Sequence, residues 1–190
     1  MRTIILSIAM LSLAACSSTL KPAAPNPATG YFNTASKISK GGVEKESPFD
    51  PKYLNILYVK TDVKSEKLND FYVKTFKNIS KFQHVYEKSD LEALVIQQGL
   101  VDKVTSVSDL IGLKHLSDAI GPILVVEPLA EHEAGYNFSA SLRVVDAQTG
   151  QEVLVLKNKA FNWAGLDEPL FYPLFNGFVD WTNGRPIVTE

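Results

Sequence analysis

Apolar and polar positions follow three distinct rhythms along the chain, and each predicts a different kind of element. Tyr53 to Val59 is apolar on both faces, the mark of a central strand. Leu68, Phe71, Tyr72, Phe76 and Ile79 then recur at helical spacing, so Ser65 to Ser80 reads as an amphipathic helix packed on a sheet. Phe82 to Tyr86 is a short second strand. Ser89-Asp90-Leu91-Glu92 reads as a capping box opening a helix that runs through Gln98 and stops at Gly99. Ser106 or Ser108 caps a further helix, Asp109 to Ile120, closed by Gly121-Pro122. Pro122 to Glu127 is a continuous apolar run, which predicts a buried strand. Tyr136 to Val145 alternates, with Tyr136, Phe138, Ala140, Leu142 and Val144 on a core face and Asn137, Ser139, Ser141 and Arg143 on a wet one. Asp146 to Gly150 has hairpin-turn chemistry, and Glu152 to Leu156 returns as the partner strand. A last helix falls within Glu168 to Asn183. Its regular part begins near Pro173, because a buried mid-helix proline would lose a backbone hydrogen bond.

This β-α-β-α-α-β-β-β-α order predicts an α/β sandwich, a mixed and largely antiparallel sheet with flanking helices. Three consecutive strands near the end favour antiparallel pairing over a Rossmann arrangement.

Ahead of Tyr53 the rhythms stop. Ser17 to Pro51 is dominated by Ser, Pro, Ala, Gly, Asn and Lys, with too little apolar surface to order itself. Residues 16–51 are therefore expected to be a disordered tether, and 52–190 the folded domain. About 35 residues of coil would span roughly 30–35 Å. Tyr31-Phe32 interrupts the polar run, either as a small docking element or as a stray apolar pair. The first residues read as a lipoprotein signal peptide over 1–15: Met1-Arg2, an apolar run from Ile4 to Leu13 too short to span a bilayer, and Leu13-Ala14-Ala15 before a cut. Cys16, the single cysteine, stands at that cut and is the expected lipid attachment site. The alternative is a thiol in an uncleaved anchor. Each buried acyl CH₂ contributes ~0.8 kcal/mol and stable anchoring takes two chains, a requirement that a multiply acylated, palmitate-bearing cysteine meets. Ser17, where aspartate is absent, resembles the pattern of lipoproteins sorted to the outer membrane. The chain is thus expected there, lipid-anchored and facing the periplasm.

Charge narrows the partners. Nineteen basic residues against 21 acidic ones give a formal charge of −2, and loss of Arg2 with the signal makes the mature chain more acidic still. The basic residues are also dispersed, so binding nucleic acid through a basic footprint is excluded. A hydrophobic content of 45% suffices for one core in roughly 140 residues, without any disulfide.

The stretch from Leu142 to Leu154, a strand, the D-x-x-T-G turn Asp146 to Gly150 and a second strand, resembles the curli-secretion (CsgG-type) lipoproteins and structurally related envelope lipoproteins. That group includes the lipoprotein activators of penicillin-binding proteins, the exopolysaccharide-export lipoprotein PelC and the N-terminal domain of TolB. The resemblance covers roughly residues 53 to 182 and implies a TolB N-terminal-domain-like fold. It also implies a binding or assembly module without catalytic residues. The chain departs from the pore-forming pattern: a membrane barrel needs about nine to eleven alternating residues per strand, and only Tyr136 to Val145 comes close. A tether this long also suits a soluble domain on a leash.

No nucleophile, phosphate-loop or metal pattern occurs among the motifs, and no cofactor or metal site is expected. Glu131-His132-Glu133 could clamp a cation, but neighbours on a strand point to opposite faces, and a solvated loop is the expected setting. Lys40-Gly41-Gly42 lacks Walker spacing. The informative candidates are aromatic. The last helix is apolar nearly all round, so Phe171 and Trp181 are either core or contacts with a partner or membrane. Phe161 and Trp163 lie in a connector, either packed beneath that helix or presented as interface anchors. The expected function is a non-enzymatic outer-membrane lipoprotein that serves a cell-envelope complex as an accessory or assembly factor through protein binding. The alternative is an oligomeric secretion or polysaccharide-export lipoprotein, a ring or pore component. Its expected partners are the membrane, through the lipid, and an envelope protein.

Overall fold

The computed structural model describes residues 21–61, 66–161 and 167–190. The signal segment 1–15, Cys16 and Trp163 lie outside the described residues. A six-stranded mixed sheet runs through the molecule in the order β1-β6-β5-β4-β2-β3: β1 Val43–Glu46, β2 Ile56–Val59, β3 His84–Tyr86, β4 Ile123–Ala134, β5 Asn137–Asp146 and β6 Glu152–Phe161. Strand β2 pairs in parallel with β3 and β4, while β4-β5-β6-β1 is antiparallel throughout. The helices are α1 Glu66–Ile79, α2 Lys88–Gln97, α3 Leu110–Ile120 and α4 Tyr172–Thr182. The expected α/β order is present, with β1 added at its front.

Each side of the sheet buries a different set of helices. On one side Leu57, Leu124, Leu142, Val144 and Leu156 meet Phe71 and Phe76 of α1 and Phe175 and Phe178 of α4. On the other, Ile56, Tyr58, Ile123, Val125 and Val145 meet Leu91 and Val95 of α2 and Leu113 and Leu116 of α3. Because β2 and the start of β4 are covered on both sides, their sequence is apolar without alternation. Caps sit one or two residues from their expected places. Glu87 and Asp90 form the capping box of α2, and Asp109 Oδ1, rather than a serine, accepts from the Gly112 amide (2.9 Å) to cap α3. The last helix opens with a π-helical turn, Asp167–Phe171, and Pro173 stands in the first turn of α4, where it forfeits no hydrogen bond.

The segment 21–51 is the principal correction. It does not hang free but wraps the sheet side that carries α1 and α4. The Ala23 amide donates to Thr75 Oγ1 (3.2 Å) and Asn78 Nδ2 donates to Ala23 O (2.8 Å), fixing the strap at the C-terminal end of α1. Tyr31 Oη donates to Asp180 Oδ1 (2.5 Å), and Asn176 both donates to and accepts from the backbone of Phe32 (3.0 and 2.8 Å). Phe32 and Ile38 are buried. Tyr31-Phe32 is thus a docking element onto the chain's own core. The strap then turns at Lys40-Gly41-Gly42 into β1, which returns along β6. Gly41 takes φ +75°, which strains any other residue, and a Cβ on Gly42 would lie 2.2 Å from Lys157 O, so that position has no room for a side chain. Composition misled here because a few well-placed apolar anchors and side-chain hydrogen bonds to the backbone substitute for regular structure. The folded unit thus includes residues 21–51 as well as those from 52 on.

Candidate functional site

Two ends of the sheet differ. The near end carries the starts of β2, β3 and β4 and, since α1 returns antiparallel to β2, also the C-terminus of α1 and the strap's Ala23. The far end is an extension of three strands only. Parallel pairing of β2 with β4 stops at Val59 and Val126, whereas β4 continues to Ala134, about 25 Å further at ~3.4 Å per residue. Strand β6 likewise runs to Phe161, past β1, whose ladder ends at Leu156. Both strands are longer than the expected Pro122 to Glu127 and Glu152 to Leu156. Pro128 did not end β4, because β2 has already stopped there and no ladder bond to it is lost.

On this extension the core side remains covered, with Asn158 of β6 donating through Nδ2 to Pro169 O and Leu170 O of the π-turn (both 2.9 Å). The opposite side lies beyond α2 and α3 and is open. Its cross-strand rows are Glu127-Arg143-Val155, Leu129-Ser141-Lys157 and Glu131-Ser139-Lys159. Small serines on β5 form a floor, carboxylates and Leu129 on β4 form one wall, and lysines on β6 form the other. The trough between them has a volume of about 330 Å³. Its inner end is closed by Arg143, which bonds Glu152 (2.6 Å) and Glu127, itself held by Lys60 (2.8 Å). Burial pushes the Glu127 carboxyl up, but the bonds from Lys60 and Arg143 outweigh it and hold the group below its ordinary value. At the outer end Lys159 reaches Glu133 (2.8 Å), and Tyr136 and Phe161 sit edge to face, centroids 5.8 Å apart, each 57% exposed.

The aromatic candidates therefore divide. Phe161 is on the open side of the extension. Of the two settings open to Phe171 and Trp181, core or contact with a partner or membrane, the structure gives the core: both are buried, and α4 is enclosed by the sheet, α1 and the strap, so its all-round apolar character is core. Trp181 stacks edge-on against Phe49 and spends its indole N–H on Ser47 O (2.6 Å). Glu131-His132-Glu133 ends β4 rather than forming a loop, and His132 Nε2 bonds Gly135 O (2.8 Å). Among the described residues no three His, Cys, Asp or Glu side chains are grouped to hold a metal, and no helix is long and apolar enough to cross a membrane. The trough is only partly legible in the sequence. Its serine floor was visible as the wet side of Tyr136 to Val145, but Lys157 and Lys159 were hidden, because Asn158 on the core side broke the apolar alternation.

Neither a family model nor a curated protein matches the sequence. Among solved structures the chain is similar to the C-terminal domain of LpoB from Escherichia coli, at 14% identity and a TM-score of 0.39 over 60% of this chain and 88% of that one. It is also similar to the lipoprotein GNA1162 from Neisseria meningitidis, at 16% identity and a TM-score of 0.33 over 57% and 81% of the two chains. A PelC dodecamer from Paraburkholderia phytofirmans is 9% identical over 74% of this chain and 95% of that one, with a TM-score of 0.38. Likenesses at this level carry no function from one chain to another.

Proposed function

We propose that the chain is a non-enzymatic, lipid-anchored protein of the outer membrane that faces the periplasm and serves a cell-envelope complex by binding protein. The observation that carries this reading is the signal pattern ending in Leu13-Ala14-Ala15-Cys16, with its one cysteine at the cut. The fold adds direction. Cys16 is separated from Ala23 by a stretch of at most ~25 Å, so acylation there would hold the near end of the domain beside the membrane. The open extension then points away from the lipid, toward neighbours in the periplasm. That disposition favours contact with protein over contact with the bilayer for Phe161. To test the reading, Cys16→Ala cells are fractionated and labelled with a palmitate analogue. Loss of both label and outer-membrane retention is expected, whereas retention without Cys16 overturns the anchor. A photo-reactive residue at position 161 should yield an adduct with an envelope protein in intact cells.

A second reading, an oligomeric ring or pore component, is favoured by one feature: among the described residues β4 has no paired strand on its outer edge along the extension, whereas the β6 edge is met by the strap, with the Lys157 and Lys159 amides donating to Gly42 O and Ser39 Oγ. Light scattering of the detergent-extracted chain separates the two, since a ring requires a large complex.

A further inference from the structure

Two hydrogen bonds fix which way the backbone of β4 points. The Ala147 amide donates to Ile123 O (3.1 Å) on the β5 side, and the Lys60 amide donates to Val126 O (2.8 Å) on the β2 side. Because the direction alternates along a strand, odd-numbered residues of β4 serve β5, while the amides and carbonyls of Ala130 and His132 point out of the edge. The β2 ladder has ended before this height, and among the described residues no strand receives those four groups. Pro128 lies just ahead of the open stretch and the register shift between His132 and Ala134 just after it, so neither irregularity falls within it.

The side chains along the edge define what fits beside it. On the trough side stand Leu129, Glu131 and Glu133; Glu133 is paired with Lys159 (2.8 Å), while Glu131 is in no ion pair among the described residues. On the other side Ala130 is half-buried against the core, and His132 lies on the Phe138 ring, centroids 4.9 Å apart. An added strand sets alternate side chains beside the Glu131 carboxylate and beside Ala130, so cationic residues suit the first row and small apolar ones the second. A second β4 is refused. Pairing it with itself runs the strands antiparallel, which gathers Glu131 and Glu133 of both copies on one face and sends the two Ala23 ends in opposite directions.

From these observations we infer that the β4 edge at Ala130 and His132 receives an extended, basic segment of a partner protein as a seventh strand of the sheet. The inference rests on the protein-binding function proposed above and names the kind of segment bound. Main-chain bonds attach the segment, and its alternate side chains decide which segment is accepted. The added strand lies ~14 Å from β6, three strand spacings away, so the protein that supplies it also reaches Phe161.

The test titrates the full chain in detergent with a short peptide alternating lysine and valine, and with a glutamate-valine peptide as control. The basic peptide is expected to bind about tenfold tighter and to slow amide exchange at Ala130 and His132 about tenfold. Binding without that protection, or equal binding of the acidic peptide, overturns the inference. Ala130→Pro removes one outward N–H and no bond to β5, so it should abolish protection at His132, whereas Ala130→Val keeps the N–H and should retain it. Glu131→Lys, an exposed change, should remove the preference for the basic peptide. In cells, Ala130→Pro should also suppress the adduct formed from position 161. An adduct undiminished by Ala130→Pro leaves the proposed function standing and overturns the strand addition, as does an adduct with a second copy of the chain. Absence of any adduct in wild type counts against the proposed function, and exchange protection by the basic peptide then decides the edge.

Discussion

Asn158 is a polar side chain on the apolar side of β6, 1% exposed, and every hydrogen-bonding group it has is used. Its Oδ1 accepts from Ser39 N and Ser39 Oγ (3.1 and 2.9 Å), while Nδ2 serves the two carbonyls of the π-turn. One residue thus ties strap, strand and last helix together. Asn158→Ala should cost about 2–4 kcal/mol in urea denaturation, because the stranded backbone groups stay buried. Asn158→Asp should cost more, since a carboxylate would face the oxygens of Pro169 and Leu170. Glu127 gives a pH signature. Its folded value lies below the ordinary 4.5, so its contribution is fully present above that value and disappears as pH falls through the depressed one. Glu127→Gln should be less stable than wild type near pH 6 by about 1 kcal/mol or less, with the gap closing toward pH 3. A gap that persists in acid would refute the assignment.

At the scale of elements, what the sequence revealed depended on whether a segment carried its own periodicity. Helix α1 and strand β5 were legible because one face of each is buried and the other wet. Strand β2 was legible from the opposite sign, an apolar run buried on both sides. The second half of β4 was not, since Pro128 and the polar run after it resemble a loop until the register with β5 is known. Strand β1, Val-Glu-Lys-Glu, has a single apolar residue, Val43, too little to show a period: it is a charged edge strand, held by its ladder with β6 and by the Ser47–Trp181 bond. For the same reason the trough was only half visible. Its floor lies on one strand with clear alternation, but its walls lie on two strands whose neighbours in space are set by topology.

For the molecule as a whole, the strap changes the distance at which the domain works. Trypsin offers a direct check: Lys37, Lys40 and Lys45 should resist cleavage under native conditions, whereas a free leash would be cut at all three. Rapid cleavage at Lys37 and Lys40 with the domain intact would contradict the packed strap. The strap's partners also lie far along the chain. Tyr31 bonds Asp180, 149 residues away, and Arg185, 154 away; Ser39 waits for Asn158, 119 away. A chain crossing a membrane N-terminus first would deliver the strap to the far side well before β6 and α4 emerge to receive it. Closing contacts of such separation is slow compared with local folding. The domain would then stay open until its final helix has arrived, and a chain stalled before α4 would be left without its lock and exposed to proteases.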